Sequence, residues 1–93
     1  MKIPQDILDK IEQTFRNQEK DEVLEIIKNV FKDTINVGKA QLSRSIIIIS
    51  DGELSKIKDI IKTNYYGDPR DVINEANTLT NGNFNYGITP FNS

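Results

Sequence analysis

Two residue types are missing from this chain, and together their absence removes most familiar chemistry. Without cysteine there is no disulfide, no thiolate metal site and no thiol nucleophile. Without histidine the commonest general base and the commonest zinc ligand are gone as well. The five glycines stand singly, so no glycine-rich loop is available to cradle a phosphate. The densest apolar run, Ile46 to Ile49, is far short of the ~20 residues of a membrane span. The start, Met1-Lys2-Ile3-Pro4-Gln5-Asp6, has no apolar signal core. A cytoplasmic protein without a membrane segment is expected. An excess of one charge is lacking too: 12 Lys and Arg face 14 Asp and Glu, a net charge of -2. That balance argues against a nucleic-acid coat or a polybasic membrane anchor.

What remains is an ordinary globular composition, 37% apolar and 28% charged over 93 residues. It implies one domain, residues 1–93, near the small end of chains that fold on a single core. Charge is uneven along it. Met1 to Ile35 carries eight acids and six bases, Lys39 to Lys62 five bases and three acids, and Asn77 to Ser93 no charge.

The periodicity is helical. Ile3, Ile7, Ile11 and Phe15 recur every fourth residue behind Pro4, which suits a first helical turn, and predict a helix from about Pro4 to Arg16 ended by Asn17-Gln18. Val23, Leu24, Ile27, Val30 and Phe31 form a second stripe, with Asp21 and Glu22 at its start and Lys28 and Lys32 at its end. Thr34 to Gly38 reads as a break. Then comes the stretch around which the chain is organised, Ser45 to Ile61. Four consecutive Ile suit a buried strand, but no segment before Asn77 offers a partner. As a helix, Leu42, Ile46 and Ile49 align, with Ile47 and Ile48 making its end apolar all round, as expected in the middle of a bundle.

Ser50-x-x-Glu53 matches a capping box ahead of Leu54, Ile57, Ile60 and Ile61, placing a fourth helix from about Asp51 to Asn64. The reversal is expected to bury Ile46, Ile49, Ile57 and Ile61 together. Gly67 suits a left-handed cap. Asp68-Pro69-x-Asp71 reads as N-cap, first-position proline and first-turn acid of a short helix to about Asn77, burying Val72, Ile73 and Ala76. The tail, 77–93, carries Phe84, Tyr86 and Phe91. It reads as a hairpin through Asn81-Gly82, or as an irregular strap whose aromatics dock on the bundle. The expected fold is an all-α compact bundle of four longer helices and one short helix. The alternative is α+β, with Ser45 to Ile49 as a strand.

Few constellations carry chemistry. Asp51-Gly52-Glu53 looks like the end of a calcium loop, but Ile occupies the preceding ligand positions. Ser43, Ser45 and Ser50 have no His to activate them. Lys39, Arg44, Lys56, Lys58 and Lys62 would be the basic patch of a nucleic-acid-binding regulator, but Asp51, Glu53 and Asp59 dilute it. Asp68-Pro69-Arg70-Asp71 beside Tyr65 and Tyr66 is the most distinctive polar cluster, because Tyr and Arg are enriched at interaction hot spots.

The motifs Arg44-Ser45-Ile46 to Asp51-Gly52-Glu53-Leu54 and Asp68-Pro69-Arg70-Asp71-Val72-Ile73-x-x-Ala76 are similar to those of small uncharacterised bacterial proteins with an apolar run, a DG turn and an RDVI helix. The resemblance covers about half of the chain and implies a small bacterial domain, with no activity attached. The expected function is non-enzymatic, without cofactor or metal: a protein-interaction module of regulatory or immunity (toxin-neutralising) type. Its expected partner-binding residues are Tyr65, Tyr66, Arg70 and Phe91, with Phe91 at a subunit or partner contact. Homodimerisation is left open. The alternative is the nucleic-acid-binding regulator using 39–62.

Overall fold

The computed structural model describes residues 3–33 and 37–91. Among them are five α-helices and no strand: α1 Gln5–Thr14, α2 Asn17–Lys32, α3 Lys39–Ser50, α4 Leu54–Lys62 and α5 Pro69–Leu79. The protein is an all-α bundle, and the strand alternative for Ser45 to Ile49 does not hold. The apolar run is helical because α3 is the middle element: it packs against all four other helices. Leu42, Ile46 and Ile47 are buried in its interior. There, β-branched side chains gain more from burial than they lose in helix propensity.

Several boundaries differ from expectation. Asn17 and Gln18 begin α2 rather than ending α1, so only Phe15 and Arg16 link the two helices. The expected break at Thr34 to Gly38 falls partly on residues 34–36, outside the described residues; Gly38 is the N-cap of α3. The expected short helix extends to Leu79 and, at 11 residues, exceeds α4 with 9.

The expected capping box at Ser50 is not formed. Ser50 is the last residue of α3, and its hydroxyl donates to the Ile47 carbonyl at 2.7 Å. Asp51 (φ 48°) and Gly52 (φ 82°) then turn left-handed, so α3 is stopped by its C-terminal geometry. Glu53 becomes the N-cap of α4 without a side-chain hydrogen bond, and instead pairs with Lys56 at 2.9 Å. This reversal rotates α4 relative to the expected register. Ile46 and Ile57 are buried as expected, but Ile49 is half-buried and Ile61 is 37% exposed. Ile47 and Ile60 take their places in the core.

The start of α5 is as expected. Asp68 accepts from the Arg70 N–H at 2.9 Å, Pro69 sits in the first turn, and Val72, Ile73 and Ala76 are buried. Hydrogen bonds from the Arg70 side chain and N–H hold the exposed Asp68 carboxyl below its usual value. Asp68→Ala should lower the melting temperature, whereas Asp68→Asn and Asp68→Ser should largely retain it, because they keep an acceptor for the orphan amide. Thermal melts of the three variants decide this; equal losses would mean that the cap contributes nothing.

Candidate interaction site

The expected hairpin at Asn81-Gly82 is absent. Asn81 (φ 55°) and Gly82 (φ 81°) close the end of α5, with the Gly82 N–H donating to the Asn77 carbonyl at 2.9 Å. The chain then returns as a strap across α5, α3 and α1. The reason is the absence of a partner strand, together with a strong anchor elsewhere.

That anchor is Arg44. It lies on α3 with its side chain 7% exposed, against an Asp6 side chain 5% exposed on α1. Arg44 Nε and Nη2 donate to Asp6 Oδ2 and Oδ1 at 3.0 and 3.1 Å, a bidentate pair. The remaining Arg44 nitrogen, Nη1, donates to the Gly87 carbonyl at 2.8 Å, and the Phe91 N–H donates to Asp6 Oδ2 at 3.1 Å. One buried ion pair therefore binds two backbone groups of the strap. Burial alone would raise the Asp6 carboxyl, but the Arg44 and Phe91 hydrogen bonds outweigh it and hold the group below its ordinary range.

Around the anchor the strap is docked by packing and polar contacts. Phe84 is buried and stacks on Phe91, with centroids 6.4 Å apart and planes at 27°. Lys10 Nζ lies 5.4 Å from the centre of the Phe91 ring, close enough for a cation–π contact. The Gln41 amide donates to the Tyr86 carbonyl at 3.2 Å, and the Tyr86 N–H donates to Asn77 Oδ1 at 3.1 Å. Gly87 passes so close to α3 that an added Cβ would stand 2.9 Å from the Gln41 carbonyl oxygen, at φ 76°. Gly87→Ala should therefore be markedly more destabilising in urea than Gly67→Ala. Gly67 shares a left-handed φ of 86° but has nothing within 4 Å; it meets only the strain of roughly 1–2 kcal/mol.

Two turns share an unusual backbone. In Tyr65–Gly67 and Asn85–Gly87 every residue has positive φ, and Asn64 extends the first run. Such runs of non-glycine residues are strained and depend on the surrounding structure. They display one tyrosine each: Tyr66 is 42% exposed and Tyr86 47%. Burial first, then neighbouring Glu75 and Asp59, push the Tyr66 phenol above its usual value.

The expected partner residues are not gathered into one cluster. Tyr65 is buried, its hydroxyl donating to Asp33 Oδ2 at 3.0 Å; burial, then that bond, push it up to about 12. It ties the turn to the end of α2. Arg70 is exposed at the start of α5, paired with Asp68 at 3.1 Å. It borders a pocket of about 410 Å³ shared with Val37, Gly38, Gln41, Ile73 and Asn74. Phe91 lies across the strap on α1. Sequence reasoning missed Gln41 and Asn77, which hold the backbone of Tyr86, and Asp6–Arg44 as the anchor. The available signal was an Arg two residues ahead of the apolar run Ile46 to Ile49.

The basic segment forms no open patch. Arg44 is buried on Asp6, Lys39 donates to the Phe31 carbonyl at 2.7 Å, Lys56 pairs with Glu53 at 2.9 Å and Lys58 with Glu22 at 2.8 Å. Of the serines weighed as nucleophiles, Ser45 and Ser50 bond backbone carbonyls at 2.7 Å, and Ser43 is buried. Among the described residues no group of three acids, histidines or cysteines is placed to hold a metal, and no helix is long and apolar enough to cross a membrane. No protein-family model, curated protein or solved structure matches the chain.

Proposed function

We propose that this protein is a non-enzymatic interaction module of the regulatory or toxin-neutralising type of a bacterium, acting through a protein partner. One observation carries the reading: Tyr66 stands exposed on a strained left-handed turn immediately ahead of α5, and Arg70 stands exposed in the first turn of that helix. Rigid Tyr and Arg side chains are the ones that dominate binding energy at hot spots. Tyr66 and Arg70 are the contacts, Tyr65 sets the turn that carries Tyr66, and Phe91 adds an aromatic edge beside α1. The nucleic-acid alternative is not favoured, since four of the five basic residues it needs are engaged.

The test is capture of a partner from the native host by the intact protein, followed by affinity measurement with Tyr66→Ala and Arg70→Ala. Each should weaken binding by about tenfold or more, with folding unchanged. Unaltered affinity in both variants would overturn the assignment of the surface. Salt-dependent binding to generic duplex DNA would restore the alternative instead.

A further inference from the structure

An asparagine followed by glycine readily loses its side-chain amide, because glycine has no Cβ to shield its nitrogen from the asparagine carbonyl. The chain holds one such pair, Asn81-Gly82. Both residues are exposed to water, and no hydrogen bond holds the Asn81 side chain among the described residues. In the reaction a solvent base removes the Gly82 amide proton, and the nitrogen attacks Asn81 Cγ. A new N–Cγ bond closes a five-membered succinimide, and the bond from Cγ to the side-chain nitrogen breaks, releasing ammonia. Water then opens the ring. Cleavage of the N–Cγ bond leaves aspartate, and cleavage on the backbone-carbonyl side leaves isoaspartate.

The fold controls this chemistry. The Gly82 N–H donates to the Asn77 carbonyl at 2.9 Å, and its carbonyl accepts from the Asn85 N–H at 3.2 Å. On either side, the Asn81 N–H donates to Thr78 at 3.1 Å and the Asn83 N–H to Thr80 at 3.0 Å. The attacking nitrogen must give up its bond to Asn77 and turn toward Asn81 Cγ, so the closed turn slows the reaction. Its product cannot keep the turn. The carboxylate stands just beyond Thr80, the C-cap of α5, where the helix dipole disfavours negative charge. It is also the first charge in residues 77–93. In isoaspartate the main chain runs through the side chain and gains a methylene, which shifts Gly82 away from both of its partners.

We infer that Asn81 is a self-modification site, guarded while the turn holds the Gly82 amide on Asn77, and that its conversion to aspartate or isoaspartate loosens the strap. The change runs one way, since the released ammonia is not put back. It involves neither Tyr66 nor Arg70 and so does not rest on the partner reading above.

The experiment ages the full chain in mildly alkaline buffer, folded in one arm and unfolded in guanidinium in the other. Peptide mapping by mass spectrometry follows the exchange of amide for acid at each asparagine. Asn81 should react first in both arms, and about tenfold faster in the unfolded one, the factor expected for one hydrogen bond. Gly82→Ala, aged unfolded, should react markedly more slowly, which separates attack by the Gly82 nitrogen from direct hydrolysis. The modified chain, resolved by its extra negative charge and refolded beside its parent, should melt at a lower temperature with faster amide exchange at Phe91. Each of four results would overturn the proposal: first reaction at another asparagine, equal rates folded and unfolded, an undiminished rate in Gly82→Ala, or a modified chain that melts with its parent.

Discussion

Arg44→Ala is expected to destabilise the protein by about 3–5 kcal/mol and to free the strap. The loss exceeds that of a surface ion pair because both partners are almost wholly buried. Removing one leaves the Asp6 carboxylate stranded without its counter-charge, and the Gly87 carbonyl loses its donor. For a domain whose whole stability is on the order of 5–15 kcal/mol, that is a large fraction. A double substitution, Asp6→Leu with Arg44→Met, separates the causes. Replacing both charges by apolar groups is often nearly neutral. Here recovery should be incomplete, because the Gly87 carbonyl and Phe91 amide are left unpaired at about 1–3 kcal/mol each. Urea titrations of the three proteins check this, with amide exchange at Phe91 reporting the strap. Full recovery in the double variant would show that the pair does not hold the strap.

The same pair makes stability depend on acid. The Asp6 carboxyl is depressed in the folded protein, so the unfolded chain takes up the proton first as pH falls. Its contribution is present above the unfolded value of about 4 and is lost as pH drops through the lower folded value. Melting temperature should therefore fall below about pH 4. The fall should be shallower in Asp6→Asn, which starts from a lower plateau.

Ile57→Ala is expected to lower stability by about 2–5 kcal/mol, while Ile61→Ala, four residues along the same helix, costs clearly less because part of its side chain is already in water. Ile57 is fully buried, whereas Ile61 is 37% exposed. Deleting the former leaves a cavity in a packed interior, and deleting the latter opens a site that water already reaches. Denaturant midpoints with unchanged slopes decide the matter. Equal losses would place α4 in the register that a capping box at Ser50 implies.

That register marks the boundary between what the residues decide locally and what needs the assembled molecule. The helices α1, α2 and α5 were legible because their apolar stripes repeat every three or four residues, and the cap at Asp68 is complete within three positions. The absence of Cys and His bounded the chemistry without any structure. The Ile run was ambiguous because four β-branched residues satisfy either a buried strand or a central helix; only the helices surrounding α3 decide between them.

Ser50 was misread for a related reason. A serine hydroxyl caps the following helix or closes the preceding one with equal local chemistry, and left-handed Asp51 selects the latter. Least visible was the anchor. Asp6 lies in the first turn of α1, where an acid is favoured by the helix dipole alone, and Arg44 reads as part of a basic segment, yet they are 38 residues apart and meet only when α1, α3 and the strap close together. Periodicity reports which face of an element is buried. Which buried charges find each other, and which backbone groups they then hold, is decided by long-range packing alone.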